Sequence, residues 1–223
     1  MPQNIAIFCD FDGTITRTDL TDAVLEAFAL PEFKDWERCW RAGAIGSQEC
    51  LAQQVALIQA DRADLIAFAR NFPIDEGIFA LDRRCAANAV PLTIVSDGID
   101  LLIQTVLQQH GLSHIPIFAN QLKQEDHQKF SLAFPHARPT CLTRAGMCKC
   151  AITFASALPA PTVVYIGDGL SDCCVAKSAQ KVFAKNALLE WCLQHRLPCE
   201  PFSTLTQVAY RLFPESFWPE RMI

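Results

Sequence analysis

The fold is decided by a stretch near the start of the chain, Asn4-Ile-Ala-Ile-Phe-Cys-Asp-Phe-Asp-Gly-Thr-Ile-Thr16. Its first half is a short apolar run, and an acidic turn containing glycine follows at once. A short apolar run with such an end is typical of a buried strand in a parallel sheet. On an extended chain residues i and i+2 point to the same side, so we expect Asp10 and Asp12 to project together. Two carboxylates this close repel each other, which raises one pKa or requires a cation nearby.

Further apolar runs follow this stretch, with helical patterns between them. The runs cover residues 91–95, 162–166 and 181–184, and the helical patterns cover 98–110, 171–178 and 187–195. Gly111 is placed to end the first of these helices, because glycine adopts the left-handed conformation that closes a helix. Residues 115–138 have the alternation of a hairpin. Strands that alternate with helices predict an α/β fold with a mostly parallel sheet.

A block of helices interrupts the alternation between residues 18 and 89. The predicted helices cover residues 19–30, 33–41, 47–59, 63–71 and 75–89. Because no strand-like run lies among them, the block is predicted to form a small helical cap over the sheet. We therefore expect a core of residues 1–17 and 80–223, with a cap of residues 18–79 inserted after the first strand.

Composition narrows the classes of protein that this chain can belong to. The 223 residues are 51% hydrophobic and carry a net charge of −5, which favours a packed core and gives no case for nucleic-acid binding. No apolar run is long enough to span a membrane, and the start of the chain lacks a signal-peptide pattern, so a cytoplasmic location is expected. The pattern makes no prediction of oligomeric state.

The eleven cysteines are expected to be reduced and mostly structural. Most lie in apolar periodic segments, where a free thiol packs as a small hydrophobic group. The cluster Cys141, Cys148 and Cys150 lacks the paired C-x-x-C spacing of structural zinc sites, which argues against zinc there.

Polar residues follow a second predicted strand in the sequence Ile94-Val-Ser-Asp-Gly98. Ser96 offers a hydroxyl, and the amides of Asp97 and Gly98 are predicted to lie at a positive helix N-terminus that suits phosphate. An ordinary helix cap explains the same residues when they are taken alone.

A third acidic segment follows another predicted strand, in Tyr165-Ile-Gly-Asp-Gly-Leu-Ser-Asp172. Asp168 lies at the strand tip, and Asp172 follows in the first helical turn, so both suit a Mg²⁺ site as ligand or support. Lys149 precedes a predicted helix, one βα step ahead of Asp168. A lone lysine is usually a solvated surface charge. Lys149 is a candidate site residue only because of this position.

These four segments, in this order, resemble the four motifs of the haloacid dehalogenase superfamily. The resemblance covers nearly the whole chain and implies a Rossmann-like three-layer α/β/α core with a small helical cap of the C1 type. It implies that Asp10 is a nucleophile that forms an aspartyl-phosphate, and that Asp12 is the general acid and base. It also implies Mg²⁺ held by Asp10, the Asp12 backbone carbonyl and Asp168. Asp172 would support this ion.

The same resemblance gives Ser96, Asp97 and Lys149 a role in holding the phosphoryl group. An acid at Asp12 favours phosphoryl chemistry, because a halide leaving group needs no proton. We therefore expect a magnesium-dependent phosphatase that acts on a small phosphorylated metabolite. A phosphotransferase with the same aspartyl-phosphate step is the second interpretation, and a non-catalytic binding protein is the third.

The helical insert is similar to the cap of the phosphoserine phosphatase-like branch of the superfamily. Within that branch the sequence is most similar to phosphatases of methionine salvage, while phosphoserine and phosphocholine or phosphoethanolamine phosphatases share the layout. Asp19 matches a position that meets the substrate amine, but it equally suits the N-cap of the first cap helix. Arg38 and Arg41 are candidate cap residues for the substrate, although a solvated surface also accounts for them.

Overall fold

The computed structural model describes residues 5–141, 143–155 and 162–214. These residues form a seven-stranded sheet in the order β4-β3-β2-β1-β5-β6-β7, parallel except for the antiparallel pair β3–β4. The strands are β1 (Ile5–Cys9), β2 (Leu92–Ile99), β3 (Ile117–Asp126), β4 (Lys129–Ala133), β5 (Thr162–Gly167), β6 (Lys181–Ala184) and β7 (Glu200–Pro201). Strand β1 lies at the centre of the sheet, with β2 on one side and β5 on the other.

Helices cover both faces of this sheet. They are α1 (Leu20–Phe28), α2 (Phe33–Arg41), α3 (Ser47–Val55), α4 (Arg62–Arg70), α5 (Gly77–Ala87), α6 (Asp100–Gln109), α7 (Lys149–Ala155), α8 (Cys173–Ala176), α9 (Asn186–Gln194) and α10 (Leu205–Leu212), with a 3₁₀ turn at Leu170–Asp172. Successive side chains of a strand point to opposite faces. Accordingly Ile7 packs in one apolar cluster with α5, α6 and α10, whereas Phe8 packs in a second cluster with α7 and α8. The predicted three-layer α/β/α architecture is confirmed.

The helical insert leaves and rejoins the core at a single crossing. Thr16 and Ile74 form an antiparallel bridge, the amide of Arg17 donates to the Pro73 carbonyl at 3.2 Å, and the amide of Asp75 donates to the Ile15 carbonyl at 2.8 Å. Helices α1 to α4 lie between these two segments. Helix α5 continues across the predicted boundary at residue 80, so we propose this crossing as the limit of the insert.

The predicted local structure differs from the observed structure at three places. Strand β2 continues to Ile99 and α6 begins only at Asp100, so Ser96, Asp97 and Gly98 lie within the strand rather than at a helix start. Strand β3 has two partners. Its first residues pair with β2 in parallel, and its polar second half pairs with β4 as the expected antiparallel hairpin. Helix α10 was not predicted. Gly111 ends α6 with φ +69, as predicted.

Some predictions concern residues outside the described ranges. The first predicted strand included residue 4, and the core included residues 1–4 and 215–223, which the structure does not describe. Among the described residues no helix has both the length and the apolar character needed to cross a membrane.

Candidate active site

The predicted motifs meet at the carboxyl edge of the sheet. Cys9 of β1 pairs with Ile94 of β2 and with Ile166 of β5, so the residues that follow these three strands emerge side by side. The backbone amide of Asp10 donates to the Ile166 carbonyl at 2.9 Å, which fixes Asp10 at this edge. Ligands of open parallel sheets bind outside the carboxyl ends of the strands.

Asp10 is a buried carboxylate held by a buried lysine. Asp10 and Lys149 are each 4% exposed, and Lys149 Nζ lies 2.9 Å from Asp10 Oδ1. The amide of Phe11 donates to the same oxygen at 2.8 Å. Burial raises the pKa of Asp10 well above its usual value and the charge of Asp172 adds to this, whereas Lys149 opposes both effects. Lys149 therefore supports the ionised form of Asp10.

Asp172 holds Lys149 from the other side. Lys149 Nζ donates to Asp172 Oδ1 at 2.6 Å, and the Tyr165 hydroxyl donates to the same oxygen at 2.5 Å. The amides of Asp168 and Gly169 donate to Asp172 Oδ2 at 3.0 and 3.1 Å. Both oxygens of this buried carboxylate accept hydrogen bonds. Asp172 therefore fixes the positions of Lys149 and of the Asp168 backbone.

Asp12 lies in different surroundings from Asp10. The amide of Leu20 donates to Asp12 Oδ1 at 2.8 Å, and the hydroxyls of Thr21 and Ser96 lie 3.5 Å from Asp12 Oδ2. Burial, followed by the charge of Asp10, raises the pKa of Asp12 to about 7. A carboxyl group with this pKa can give and take a proton near neutral pH, which is what a general acid and base requires.

The third acid, Asp168, is held by two residues that the sequence analysis did not assign to the site. The Thr14 hydroxyl donates to Asp168 Oδ1 at 2.9 Å, and the Asn186 side-chain amide donates to Asp168 Oδ2 at 3.2 Å. Burial raises the pKa of Asp168, while these hydrogen bonds lower it. Thr14 could have been found from its place in the first motif.

The acidic side chains fit a hard divalent cation. Carboxylate oxygens of Asp10, Asp168 and Asp172 lie within 4.8 Å of one another. Mg²⁺ prefers oxygen ligands, and a protein usually supplies one or two carboxylates to it. Since both oxygens of Asp172 already accept two hydrogen bonds each, Asp10 and Asp168 are the carboxylates best placed to bind the ion.

Two glycines allow the acidic side chains to approach the backbone. Gly13 has φ +69, and a Cβ added there would lie 2.5 Å from Asp168 Oδ2. A Cβ on Gly98 would lie 2.3 Å from Asp12 Oδ2. Only glycine leaves the room that Asp12 and Asp168 occupy.

Ser96 and Asp97 have contacts that the sequence analysis did not predict. The amide of Gly98 donates to Ser96 Oγ at 3.0 Å, because this segment is still extended and the side chain folds back. The Asp97 carboxylate accepts from Asn120 Nδ2 at 3.1 Å and from the Met147 amide at 2.9 Å. A phosphate contact from Ser96, Asp97 or Lys149 stays a prediction.

The candidate cap residues lie on helices of the insert. The Asp19 side chain accepts from the Asp22 amide at 2.8 Å and caps α1. On α2, Arg38 pairs with Asp35, both of them exposed, and the exposed Arg41 pairs with the half-buried Glu37 at 2.6 Å. Contacts of these three residues with a substrate stay predictions.

All eleven cysteines are free thiols. Among the residues described, the group of potential ligands close enough to share one ion consists of aspartates, and the cluster Cys141, Cys148 and Cys150 does not form such a group.

Comparisons with known proteins agree with this geometry. A family model described as haloacid dehalogenase-like hydrolase matches residues 7–177, which is more than half of the chain. The chain belongs to the haloacid dehalogenase-like hydrolases. The resemblance predicted from the four motifs is thereby confirmed, and the protein is an enzyme of the hydrolase class.

Curated relatives extend over nearly the full chain. The chain is 32% identical over 212 residues to 2-hydroxy-3-keto-5-methylthiopentenyl-1-phosphate phosphatase of Geobacillus kaustophilus, covering 93% of this chain and 95% of the relative. It is also 32% identical over 219 residues to the phosphatase of the same name from Geobacillus thermodenitrificans, with coverage of 95% and 97%.

Solved structures share the fold. A phosphoserine phosphatase solved as a phospho-aspartyl intermediate analogue has a TM-score of 0.68 at 18% identity, covering 95% of this chain and 99% of that one. A hydrolase of the same family from Salmonella enterica serovar Typhi has a TM-score of 0.74 at 15% identity, with coverage of 96% and 73%. At these identities the likeness concerns the fold.

Proposed function

We propose that the protein is a magnesium-dependent phosphatase that hydrolyses a small phosphorylated metabolite through an aspartyl-phosphate on Asp10. The observation that carries this proposal is the pair Asp10 and Asp12 at the end of β1. One carboxylate is held by Lys149 at 2.9 Å, and the other has a pKa of about 7. These surroundings support Asp10 as the nucleophile and Asp12 as the proton donor at the end of one strand.

In the first step an Asp10 carboxylate oxygen attacks phosphorus, and the bond from phosphorus to the leaving oxygen breaks. Oδ1 is engaged by Lys149 and the Phe11 amide, while among the described residues no hydrogen bond engages Oδ2. We infer that Oδ2 is the attacking oxygen. Asp12 gives its proton to the leaving oxygen, so that the organic part departs with a neutral hydroxyl group, as an enol when the substrate is an enol phosphate.

In the second step water attacks the phosphorus of the aspartyl-phosphate. Asp12, now ionised, accepts a proton from this water, and the bond between phosphorus and the Asp10 oxygen breaks. Phosphate leaves and both aspartates return to their starting states. The hydrogen bonds to Asp12 from Leu20, Thr21 and Ser96 keep its side chain oriented through both steps.

Mg²⁺ bound by Asp10 and Asp168 would neutralise charge on the phosphoryl oxygens. Support for this ion comes from the oxygen-only donor set and from the hydrogen bonds of Thr14 and Asn186 that orient Asp168.

The substrate class is inferred from the curated relatives. Relatives at 32% identity with coverage above nine-tenths are named for 2-hydroxy-3-keto-5-methylthiopentenyl-1-phosphate, and we propose this enol phosphate as the substrate. The assignment places the enzyme in methionine salvage. A cytoplasmic location is proposed with it.

A nucleophile variant tests the mechanism. In Asp10→Asn we expect the rate of phosphate release to fall by about 10⁴-fold or more, because the amide cannot attack phosphorus. The rate is measured as phosphate release from the enol phosphate with and without Mg²⁺. Asp126→Asn, which changes an exposed carboxylate at the β3–β4 turn, serves as the matched control and should keep wild-type activity.

A substrate comparison tests the assignment. The kcat/KM for the enol phosphate should exceed that for phosphoserine and phosphocholine by about 100-fold or more. Activity that persists in Asp10→Asn would overturn the mechanism, whereas equal kcat/KM values would overturn only the substrate.

A further inference from the structure

A cavity of about 310 Å³ lies where the helical insert meets the core. Its walls come from helix α3 and the turn before it, from the residue after β4, and from the segment that leads to α7. The lining residues are Gly46, Gln48, Glu49, Ala52, Phe134 and Arg144. Neither the four motifs nor the proposed chemistry uses any of these residues.

The segments that line the cavity are hydrogen-bonded to the catalytic edge of the sheet. Ser47, which lies between two lining residues, donates from its hydroxyl to Asp97 Oδ2 at 2.9 Å. Asp97 follows Ser96, whose hydroxyl lies 3.5 Å from Asp12 Oδ2. In the segment that follows the lining residue Arg144, the Met147 amide, two residues before Lys149, donates to Asp97 Oδ1 at 2.9 Å. A ligand in the cavity is therefore next to the segments that carry the phosphoryl site.

The walls are held in place by contacts between the insert and the core. The amide of Gln48 donates to the Arg144 carbonyl at 3.2 Å, and the Arg144 guanidinium donates to the Gly43 carbonyl at 3.3 Å. A Cβ on Gly46 would lie 2.5 Å from the Arg144 Cβ, so the two segments are in close contact. A cavity with walls fixed in this way loses little freedom when a ligand binds.

The lining indicates the chemistry of the ligand. Phe134 and Ala52 offer apolar surface, whereas Gln48 and Arg144 offer donors and Glu49 offers an acceptor. Mixed linings of this kind bind small molecules that have an apolar end and a few polar atoms. The volume is at the lower end of the usual range for ligand pockets, roughly 300–1,000 Å³, and suits a small organic group.

We propose that this cavity binds the organic part of the substrate, with Phe134 and Ala52 against the apolar methylthio end and Arg144 and Gln48 at the hydroxyl and keto oxygens. The proposal rests on the proposed function, because that function places a phosphoryl group at Asp10. It assigns substrate selection to residues of the core as well as the insert.

The test compares three substrates: the enol phosphate, the same compound without its methylthio group, and acetyl phosphate. Wild-type kcat/KM should favour the methylthio compound over the shortened one by about tenfold or more, as expected for burial of a small apolar group. In Phe134→Ala this preference should fall to about threefold or less. In Arg144→Gln the KM for each enol phosphate should rise about tenfold relative to the KM for acetyl phosphate. The change in kcat should be smaller.

Matched controls separate binding from folding. Leu193→Ala removes an apolar side chain that is 66% exposed on α9, and Arg70→Gln removes an exposed charge at the end of α4. Both should keep the wild-type preference and KM. A lower stability of Phe134→Ala would change the rates with all three substrates and leave their ratio as it is in the wild type.

The outcomes are distinguishable. If Phe134→Ala keeps the wild-type preference and Arg144→Gln keeps the wild-type KM, the cavity is not the substrate subsite, and the phosphatase assignment stands. If the wild-type protein with Mg²⁺ releases no phosphate from acetyl phosphate or from the enol phosphate, the proposed function is overturned and the subsite with it.

Discussion

At the scale of single residues, the two carboxylates at the end of β1 are separated by their surroundings. Asp10 is 4% exposed and faces the buried cation of Lys149, which supports its charge. Asp12 faces backbone amides and hydroxyls, and burial raises its pKa to about 7. One strand end therefore carries a carboxylate that contacts a buried cation and a carboxyl group that can exchange a proton near neutral pH, a separation that suits the proposed nucleophile and acid–base pair.

The role of Asp12 predicts a dependence on the leaving group. In Asp12→Asn we expect kcat/KM for an alkyl phosphate to fall by about 10² to 10⁴-fold, because the alkoxide must leave without a proton. The fall should be at least tenfold smaller for p-nitrophenyl phosphate, whose leaving group is stable as an anion. Steady-state rates for the two substrates measure the difference. An equal loss with both substrates would contradict a role in leaving-group protonation.

Lys149 is expected to be a large contributor to stability. Lys149→Met leaves the buried carboxylates of Asp10 and Asp172 without their shared cation, and we expect a loss of about 3–5 kcal/mol in the free energy of unfolding. Lys181→Met is the matched control, since its pair with Glu200 at 2.8 Å is partly exposed. Such a pair contributes about 1 kcal/mol or less. Urea unfolding measures both, and similar losses in the two variants would refute this account of the buried cluster.

At the scale of elements, the turn after β1 leaves room for the side chain of Asp168. Gly13 has φ +69 and leaves room for the Asp168 side chain, which Thr14 then binds from the same turn. The turn thereby joins the first motif to the third, across the pair β1 and β5.

A pair of glycine substitutions separates backbone strain from crowding in this turn. Gly13 and Gly111 both have φ +69. Each alanine substitution should therefore lower the free energy of unfolding by about 1–2 kcal/mol. A Cβ at Gly111 has no atom within 4 Å, whereas one at Gly13 meets Asp168 Oδ2 at 2.5 Å. We therefore expect only Gly13→Ala to lose activity, by tenfold or more, and to bind Mg²⁺ more weakly. Thermal unfolding and phosphate release measure the two effects, and full activity in Gly13→Ala would disprove the crowding argument.

At the scale of the whole molecule, the contacts between the insert and the core include the crossing and the start of α3. At the crossing Thr16 and Ile74 form an antiparallel bridge, and Ser47 and Gln48 of α3 contact the core at Asp97 and Arg144. The buried acids lie at the edge of the sheet that these contacts enclose, so their charge state acts on the stability of the folded protein.

This charge state predicts how Mg²⁺ stabilises the protein at different pH. Since the pKa of Asp12 is raised from 3.8 to about 7, its contribution to stability is fully present below about pH 4 and is lost as the pH rises through 7. Burial raises the pKa of Asp10 and Asp168 in the same direction. Mg²⁺ competes with protons for ionised carboxylates. The rise in Tm on adding Mg²⁺ should therefore be larger at pH 8 than at pH 5.

Thermal unfolding at four pH values, with NaCl at matched ionic strength as the control, measures this rise. Asp168→Asn should reduce it at every pH, because one of the two expected carboxylate ligands is lost. A rise in Tm that is the same at pH 5 and pH 8 would contradict a site made of these carboxylates.

Much of the fold could be predicted because the strands and helices that position the site have strong local patterns. The apolar run of β1, the alternation after residue 90 and the helical block before it predicted an α/β fold with a mostly parallel sheet and a helical insert, and the family resemblance implied the three layers that the structure has. The sequence predicts β3 only as part of a hairpin, because the few residues that pair with β2 before its polar end give a weak strand pattern. The start of α6 was placed too early, because Ser96, Asp97 and Gly98 also have the composition of a helix start.

The sequence by itself determined the order of the four motifs, the alternation of strands and helices, and the identity of the three acids at strand ends. These depend on local composition and on periodicity, which the chain carries along its length. Only the tertiary structure decided that Asp172 binds Lys149, that Asn186 and Thr14 hold Asp168, and that α3 encloses a cavity with Phe134 and Arg144. Those contacts join residues far apart in the chain, and their distances depend on how the sheet and the insert pack.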